Sequence, residues 1–157
     1  MSILPILTEP NSILRKKAEE VASDLFELPQ IKELTANMIE TMIEAKGVGL
    51  AAPQIGRSLR IITVNTDDEP TVLINPRITR SSWRKVIDEE GCLSVPGKFG
   101  LVKRPKTVRV QALDENGKEL NFKAKGLLAR VIQHEIDHLD GKLFIDKVIK
   151  YTNDMQL

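Results

Sequence analysis

A pair of histidines four residues apart constrains this chain more than any other feature. The 157-residue sequence contains only 2 histidines, and both lie in the segment 134–138, which reads HEIDH. Apolar residues around this segment recur at helical spacing and predict a helix over Gly126–Leu139. Residues four apart on a helix lie on the same face, so His134 and His138 can bind one metal ion. Glu135 is then placed to take a proton from a water molecule at that ion.

A catalytic metal ion needs a third protein ligand and an open coordination position, and the sequence after His138 does not supply that ligand. Phe144 occupies the position at which one class of zinc endopeptidase has a third histidine, and neither histidine nor glutamate occurs after His138. Upstream, Cys92 is the only cysteine, and its thiolate would be a good soft ligand. Taken alone, however, a free cysteine is more often an inert buried residue. A helix with two hydrogen-bonded histidines and no metal ion also stays open on this motif alone.

Three short motifs carry more information than the histidine pair. Residues 47–54 read GVGLAAPQ, residues 90–94 read EGCLS and residues 133–141 read QHEIDHLDG. In this order and spacing they resemble the three signature motifs of peptide deformylases, and the resemblance extends over nearly the whole chain. It implies a single catalytic domain over residues 1–157, with a short C-terminal tail. It also implies the removal of the N-formyl group from the N-terminal formylmethionine of nascent polypeptides, with release of formate.

The glycines of the first motif also match part of a dinucleotide-binding fingerprint. That fingerprint requires a strand before it and a helix after it. Here a predicted helix precedes the glycines and Pro53 follows them almost at once. Nucleotide binding is therefore disfavoured.

The deformylase resemblance assigns a role to the polar residues of the motifs. Three residues are implied as ligands of one divalent metal ion: Cys92, His134 and His138. Fe²⁺ is the ion implied in the cell, and Zn²⁺ or Ni²⁺ is also compatible with these ligands. Glu135 is implied as the general base, which can later return the proton to the leaving nitrogen. The side-chain amide of Gln54 and the backbone N–H of Leu93 are implied to stabilise the oxyanion. We further hypothesise that Glu90 and Arg104 pair and brace the cysteine segment.

Four residues are predicted to contact the substrate: Gly49, Val48, Leu127 and Val131. Gly49 has no Cβ, so a peptide can approach it closely and form main-chain hydrogen bonds. Leu127 and Val131 fall on the same helical stripe as the histidines. With Val48, they are candidates for the apolar wall around the methionine side chain of an N-formylmethionyl peptide. Core packing explains the apolar residues equally well.

The rest of the pattern predicts an α+β fold with antiparallel sheet. Helices are expected over residues 14–20, capped by Asn11-Ser12, over residues 28–45, ended by Gly47, and over Gly126–Leu139. Strands are expected over residues 60–65, 71–74, 85–89, 106–113 and 119–124. Asn116-Gly117 between the last two strands predicts a hairpin. The resemblance implies that antiparallel β-sheets pack around the central C-terminal helix that carries HExxH.

Composition limits the remaining functional classes. With 23 basic and 22 acidic residues the formal net charge is +1, which gives no electrostatic case for nucleic acid or an anionic membrane as the main partner. A single cysteine, no membrane-length apolar run and no secretory signal favour the cytoplasm. The short segment 147–157 leaves an organellar or viral origin open, and also leaves association with the ribosome open. Two alternative functions are kept: a zinc endopeptidase that uses the histidine pair, and a metal-binding protein without catalytic activity.

Overall fold

The computed structural model describes residues 2–65 and 69–153, which contain eight strands, two α-helices and four short 3-10 helices. The helices are α1, Pro29–Glu44, and α2, Gly126–Leu139. The strands are β1 Gly49–Ala51, β2 Ile61–Asn65, β3 Pro70–Ser81, β4 Lys85–Cys92, β5 Val95–Pro105, β6 Thr107–Leu113, β7 Glu119–Lys125 and β8 Val148–Tyr151.

The strands form two antiparallel sheets, which confirms the predicted α+β class. The larger sheet has the order β1-β2-β3-β6-β7, and the smaller sheet has the order β4-β5-β8. The predicted hairpin joins β6 and β7 in register from Leu113 opposite Glu119. In its turn Gly117 adopts a φ of 82°, a left-handed conformation that glycine accepts without a steric penalty.

The two helices cover opposite faces of the larger sheet. Neighbouring residues of β2 show this, since successive side chains of a strand point to opposite faces and each contacts a different helix. On one face, Ile62 of β2 belongs to a buried cluster with Ile132 and Leu139 of α2. On the other face, Ile61 of β2 belongs to a second cluster with Met38 of α1. Full burial of side chains of this size contributes about 1.5–3 kcal/mol each. Helix α2 also contacts β5 of the smaller sheet, so both sheets pack against the helix that carries HExxH, as expected.

The first expected helix is wrong beyond its first turn. Asn11 does act as a cap, since its side chain accepts a hydrogen bond from the backbone N–H of Ile13, but the 3-10 helix covers only Ser12–Arg15. The chain then becomes extended and forms tertiary hydrogen bonds, including one from the Ala18 N–H to the Leu139 carbonyl at 2.8 Å. These backbone contacts replace the helical ladder over residues 16–20.

Helix α1 is confirmed within one residue at each end, but its C-terminal cap differs from expectation. Lys46 adopts the left-handed conformation, with a φ of 56°, and the Gly47 N–H donates to the Met42 carbonyl at 2.9 Å. Gly47 instead allows close packing, since a Cβ at this position would lie 3.0 Å from Cδ1 of Leu93 and that side chain would have to shift.

Strands β1, β5 and β8 have no counterpart among the expected strands. Strand β5 contains Pro96, Gly97 and Gly100, which read as turn residues in the sequence. Gly100 has a packing role there, since a Cβ at this position would lie 2.8 Å from Cγ1 of Val148 in β8. The close pairing of these two strands therefore depends on a residue that the sequence pattern assigns to a turn.

Candidate metal centre and active-site cleft

The HExxH segment lies in the second half of α2, between the two sheets. Its titratable residues are all buried: the exposed fractions are 9% for His134, 4% for Glu135 and 1% for His138. The rings of the two histidines meet edge to face, with centroids 5.1 Å apart. A helix stripe that faces a packed interior therefore brings two imidazoles and one carboxylate together away from bulk water.

Cys92 approaches these histidines from the smaller sheet. It is the last residue of β4, and a two-residue turn, Leu93-Ser94, leads into β5. Its Sγ lies 3.3 Å from Nε2 of His138. The candidate ligand atoms of Cys92, His134 and His138 all lie within 4.8 Å of one another. A tetrahedral ion with bonds of about 2.3 Å to sulfur and about 2.1 Å to nitrogen requires ligand atoms roughly 3.5 Å apart, so this cluster fits one divalent ion.

Glu90 orients the first histidine. Its carboxylate lies 2.8 Å from Nδ1 of His134, which leaves Nε2 as the nitrogen available to a metal ion. Arg104 binds the same carboxylate in a bidentate pair, with Nε at 2.6 Å and Nη2 at 2.9 Å. The hypothesised Glu90–Arg104 pair is thus confirmed as a contact. Burial raises the pKa of Glu90, but the hydrogen bonds from His134 and Arg104 outweigh burial and hold that pKa well below its usual value.

Two residues that were not predicted from the sequence, Arg130 and Asp137, also belong to this network. Arg130 donates from Nη1 to Glu90 at 2.6 Å and from Nη2 to the Val86 carbonyl at 2.9 Å. Asp137 accepts from Nη1 of Arg104 at 2.9 Å and pairs with Lys147 at 2.8 Å. The helical spacing contained a signal for Arg130, since it lies four residues before His134 and places a charge on an otherwise apolar stripe.

Burial also sets the protonation of the other motif residues. Burial lowers the pKa of His138 well below its usual value, so the ring is held neutral, the form that binds metal. For His134, burial lowers the pKa, but hydrogen bonds to Cys92 and Glu90 outweigh it and raise the pKa to about 10. Metal binding must therefore displace a proton from His134.

Glu135 has the features of an acid–base group. Burial raises its pKa to about 7. Its Oε2 is buried and has no hydrogen-bond partner among the described residues. A buried carboxylate oxygen without a partner is costly, and it is available to accept a proton from a molecule in the cleft.

Gln54 is fixed beside the cysteine. Its Oε1 accepts from the Ala51 N–H at 2.9 Å, and its Nε2 lies 3.1 Å from Oγ of Ser94 and 3.7 Å from Sγ of Cys92. The amide N–H₂ group therefore points towards the metal-ligand cluster. Leu93 lies in the turn next to Cys92, so its backbone is at the same place.

A cleft of about 490 Å³ opens over this cluster. All four predicted substrate contacts line it, although their burial differs: Val48 and Leu127 are 49% and 66% exposed, whereas Val131 is 6% exposed. Val131 also packs in the α2 core cluster, so its burial is explained by core packing, and its contact with a substrate stays a prediction. At Gly49, a Cβ would lie 2.6 Å from Oε1 of Glu135 and 2.8 Å from Cγ1 of Val131. Gly49 therefore packs directly against Glu135 and Val131, and a side chain at this position would collide with both.

The structure also bears on the alternatives. Phe144, at the position of the endopeptidase's third histidine, is buried and stacks against His134 with ring centroids 6.2 Å apart. Helix α1 precedes the GVGLAAPQ segment and a 3-10 helix over Ala52–Ile55 follows it, which is not the setting of a dinucleotide fingerprint. Among the described residues no helix is long and apolar enough to cross a membrane.

Known proteins resemble this chain over nearly its full length. A family model described as polypeptide deformylase matches residues 3–154. A peptide deformylase from Thermodesulfovibrio yellowstonii is 50% identical over 153 residues, which covers 94% of this chain and 90% of that protein. A solved peptide deformylase from Legionella pneumophila is 45% identical and has a TM-score of 0.88. The alignment covers 94% of this chain and 86% of the Legionella chain. A class I type b peptide deformylase from Acinetobacter baumannii, solved with Met-Ala-Ser bound, is 34% identical and has a TM-score of 0.89. The alignment covers 94% of this chain and 99% of the Acinetobacter chain. By its motifs, its fold and these relatives, the chain belongs to the peptide deformylase family.

Proposed function

We propose that this chain hydrolyses the N-formyl group of formylmethionyl peptides with Cys92, His134 and His138 as its metal ligands and Glu135 as its base. The single observation that carries the assignment is the buried Oε2 of Glu135, which has no partner among the described residues and follows directly on a ligand histidine. A divalent ion on this ligand set acidifies water and polarises a carbonyl, and we propose Fe²⁺ in the cell.

The proton steps are assigned to Glu135. Its carboxylate takes a proton from the attacking water, and the bond from the water oxygen to the formyl carbon then forms. The same carboxyl delivers the proton to the amine nitrogen as the C–N bond breaks, so formate and a free N-terminal amine leave. A pKa near 7 suits a group that must both accept and donate near neutral pH.

The developing oxyanion needs donors that are in place before the reaction. We assign this role to the side-chain N–H₂ of Gln54 and the backbone N–H of Leu93. The hydrogen bond from the Ala51 N–H to Oε1 of Gln54 supports the assignment, because it fixes the orientation of the amide. Preorganised donors of this kind avoid reorganisation during the reaction.

Substrate binding is assigned to Gly49 and to the apolar wall of the cleft, formed by Val48, Leu127 and Val131. The peptide backbone lies along Gly49, and the methionine side chain lies against the wall. The Acinetobacter relative, which was solved with Met-Ala-Ser bound, supports a methionyl peptide as the ligand. Val131→Asp should raise the KM for formyl-Met-Ala-Ser. An unchanged KM would remove Val131 from the pocket.

We further propose that the described sheets belong to one catalytic domain, because both pack against α2. We place the chain in the cytoplasm, where nascent formylmethionyl chains arise and a free cysteine ligand stays reduced.

The experiment is an isosteric replacement of the base, Glu135→Gln, in anaerobically prepared iron-loaded protein. We expect bound metal per chain to stay at the wild-type value, while formate release from formyl-Met-Ala-Ser falls about 10²–10⁴-fold. Release at the wild-type rate would contradict the assignment of the base. Loss of the metal together with the activity would instead assign Glu135 to the ligand set.

A further inference from the structure

Helix α1 covers only part of the outer face of the larger sheet, the face opposite α2. The buried cluster that contains Met38 of α1 includes Val72 and Ile74 in the first half of β3. Leu113, at the end of β6, packs against this cluster. Beyond these residues, the outward side chains of β3, β6 and β7 are largely exposed.

Three cations lie side by side on this bare part of the sheet. Arg80 of β3 is directly opposite Arg109 of β6, and Arg109 is directly opposite Lys123 of β7. Like charges directly opposite each other destabilise a sheet. Among the described residues no carboxylate pairs with any of the three. The guanidinium of Arg109 donates to the neutral side chain of Asn121, at 2.9 Å. The sheet therefore carries an unneutralised row of positive charge, here called the cationic row: Arg80, Arg109 and Lys123.

The cationic row borders a recess of about 250 Å³. Its other walls include three hydroxyl residues: Ser81, Ser82 and Thr107. The Ser82 hydroxyl is already occupied, since it donates to the Arg84 carbonyl at 2.7 Å and accepts from the Thr107 N–H at 3.1 Å. The three cations, with no carboxylate in the lining, still suit an anion that accepts several hydrogen bonds, such as a phosphate.

A tryptophan stands next to this recess. Trp83 follows Ser82 in the turn between β3 and β4 and is 97% exposed, although large aromatic side chains are normally well buried. It is the only tryptophan in the chain. An exposed aromatic ring beside a basic groove is the arrangement that stacks the bases of single-stranded nucleic acid.

From this juxtaposition we propose that the cationic row and Trp83 form a binding surface for single-stranded RNA. The row contacts the phosphate backbone, one phosphate occupies the recess, and one base stacks on Trp83. The net charge of +1 does not oppose this, because it is an average over the whole chain, whereas short-range screened contacts depend on the local charge. The recess favours RNA over an anionic membrane, because a phosphate on a flexible strand can enter it. The proposal is independent of the deformylase chemistry, since none of these residues lines the cleft.

The test measures binding of a fluorescein-labelled oligouridylate to the full-length chain by anisotropy, and quenching of Trp83 fluorescence reports where the oligomer binds. With about three phosphate contacts, affinity should fall roughly 20-fold between about 50 and 200 mM salt. The triple variant Arg80→Gln, Arg109→Gln, Lys123→Gln should bind more weakly and lose most of this salt dependence. A control with the same charge change at exposed lysines elsewhere, Lys16→Gln, Lys17→Gln, Lys142→Gln, should bind as the wild type does.

Trp83→Ala should weaken binding by about tenfold, since a stacked base contributes on the order of 1–3 kcal/mol. All variants should release formate from a short formyl peptide at the wild-type rate, which also shows that they are folded. If the triple variant fails that control, Trp83→Ala and the single variant Lys123→Gln serve as the test. Equal RNA binding by the triple variant and the lysine control would overturn the proposal. So would binding of the wild type to phosphatidylglycerol vesicles but not to the oligouridylate.

Discussion

Replacing Glu90 by glutamine tests whether one buried carboxylate holds the metal-binding helix to the smaller sheet. Its side chain is 4% exposed and accepts four charge-assisted hydrogen bonds of 2.6–2.9 Å: two from Arg104, one from Arg130 and one from His134. Glu90→Gln preserves the shape of the side chain, but it removes the charge and turns one acceptor oxygen into a donor.

The expected magnitude follows from the number of bonds lost. Two of the four donors face each carboxylate oxygen, so either orientation of the glutamine amide leaves two donors opposite an N–H₂ group. Each lost hydrogen bond to a charged group costs about 1.5–3 kcal/mol. Glu90→Gln should therefore lower the free energy of unfolding by about 3–5 kcal/mol, the range found when one partner of a buried ion pair is removed.

Metal binding should weaken as well, because His134 loses the acceptor that fixes its ring. Loss of such a partner typically lowers metal affinity 10–100-fold. The assays are urea unfolding of the metal-free protein and competition of the metal with a chelator. Glu89→Gln is the matched control, since it removes the same charge at the preceding, exposed residue and should change both quantities little. If the free energy of unfolding of Glu90→Gln lies within about 1 kcal/mol of the wild-type value, roughly the value of an exposed ion pair, and the variant keeps its metal, Glu90 does not hold the helix to the smaller sheet.

Three further predictions concern the cleft and the C-terminal segment. Gln54→Glu keeps the acceptor for the Ala51 N–H but removes the donor, so kcat for formate release should fall about 10²–10³-fold. Because Gln54 is 2% exposed, the new carboxylate should also lower the free energy of unfolding, so kcat is compared on folded protein; an unchanged kcat would remove Gln54 from the oxyanion site. Gly49→Ala should lower kcat and destabilise the fold by about 1–3 kcal/mol, because the new Cβ would lie 2.6 Å from Oε1 of Glu135; thermal unfolding and kinetics like those of the wild type would show that the glycine does not pass so close to the base. Burial raises the pKa of Asp146, but hydrogen bonds from Arg15 and the Leu143 N–H outweigh it and lower that pKa. A carboxyl group with a lowered pKa in the folded state stabilises the fold above its unfolded pKa of about 3.9, and the stabilisation disappears as pH falls through the folded pKa. Asp146→Asn should therefore show a smaller loss of urea stability than the wild type when the pH is lowered into that range, and an identical pH profile would contradict the pairing.

The histidine pair of the metal cluster could be predicted from the sequence because its geometry follows from a local rule. The helical period places His134 and His138 on one face, and the helix was predicted with the bounds that the structure shows. Cys92 could not be placed by such a rule, because β4 and α2 are brought together only by tertiary packing. The family motif supplied that link, and the structure brings the three side chains into one cluster.

The parts of the fold that local patterns missed depend on long-range contacts. Residues 16–20 read as helix, yet the Ala18 N–H bonds to the Leu139 carbonyl, which lies more than a hundred residues away in the sequence. Strand β5 contains two glycines and Pro96, and only its pairing with β4 and β8 makes it extended. For Arg130, the sequence offered a charged residue at helical spacing but nothing to indicate that Glu90 and the Val86 carbonyl would be its partners.

The most direct test of the central claim is formate release from formyl-Met-Ala-Ser by iron-loaded wild-type protein prepared without oxygen. We expect rapid release of formate together with Met-Ala-Ser carrying a free amine. A protein that releases no formate, or that instead cleaves an internal bond of an unformylated peptide, would contradict it.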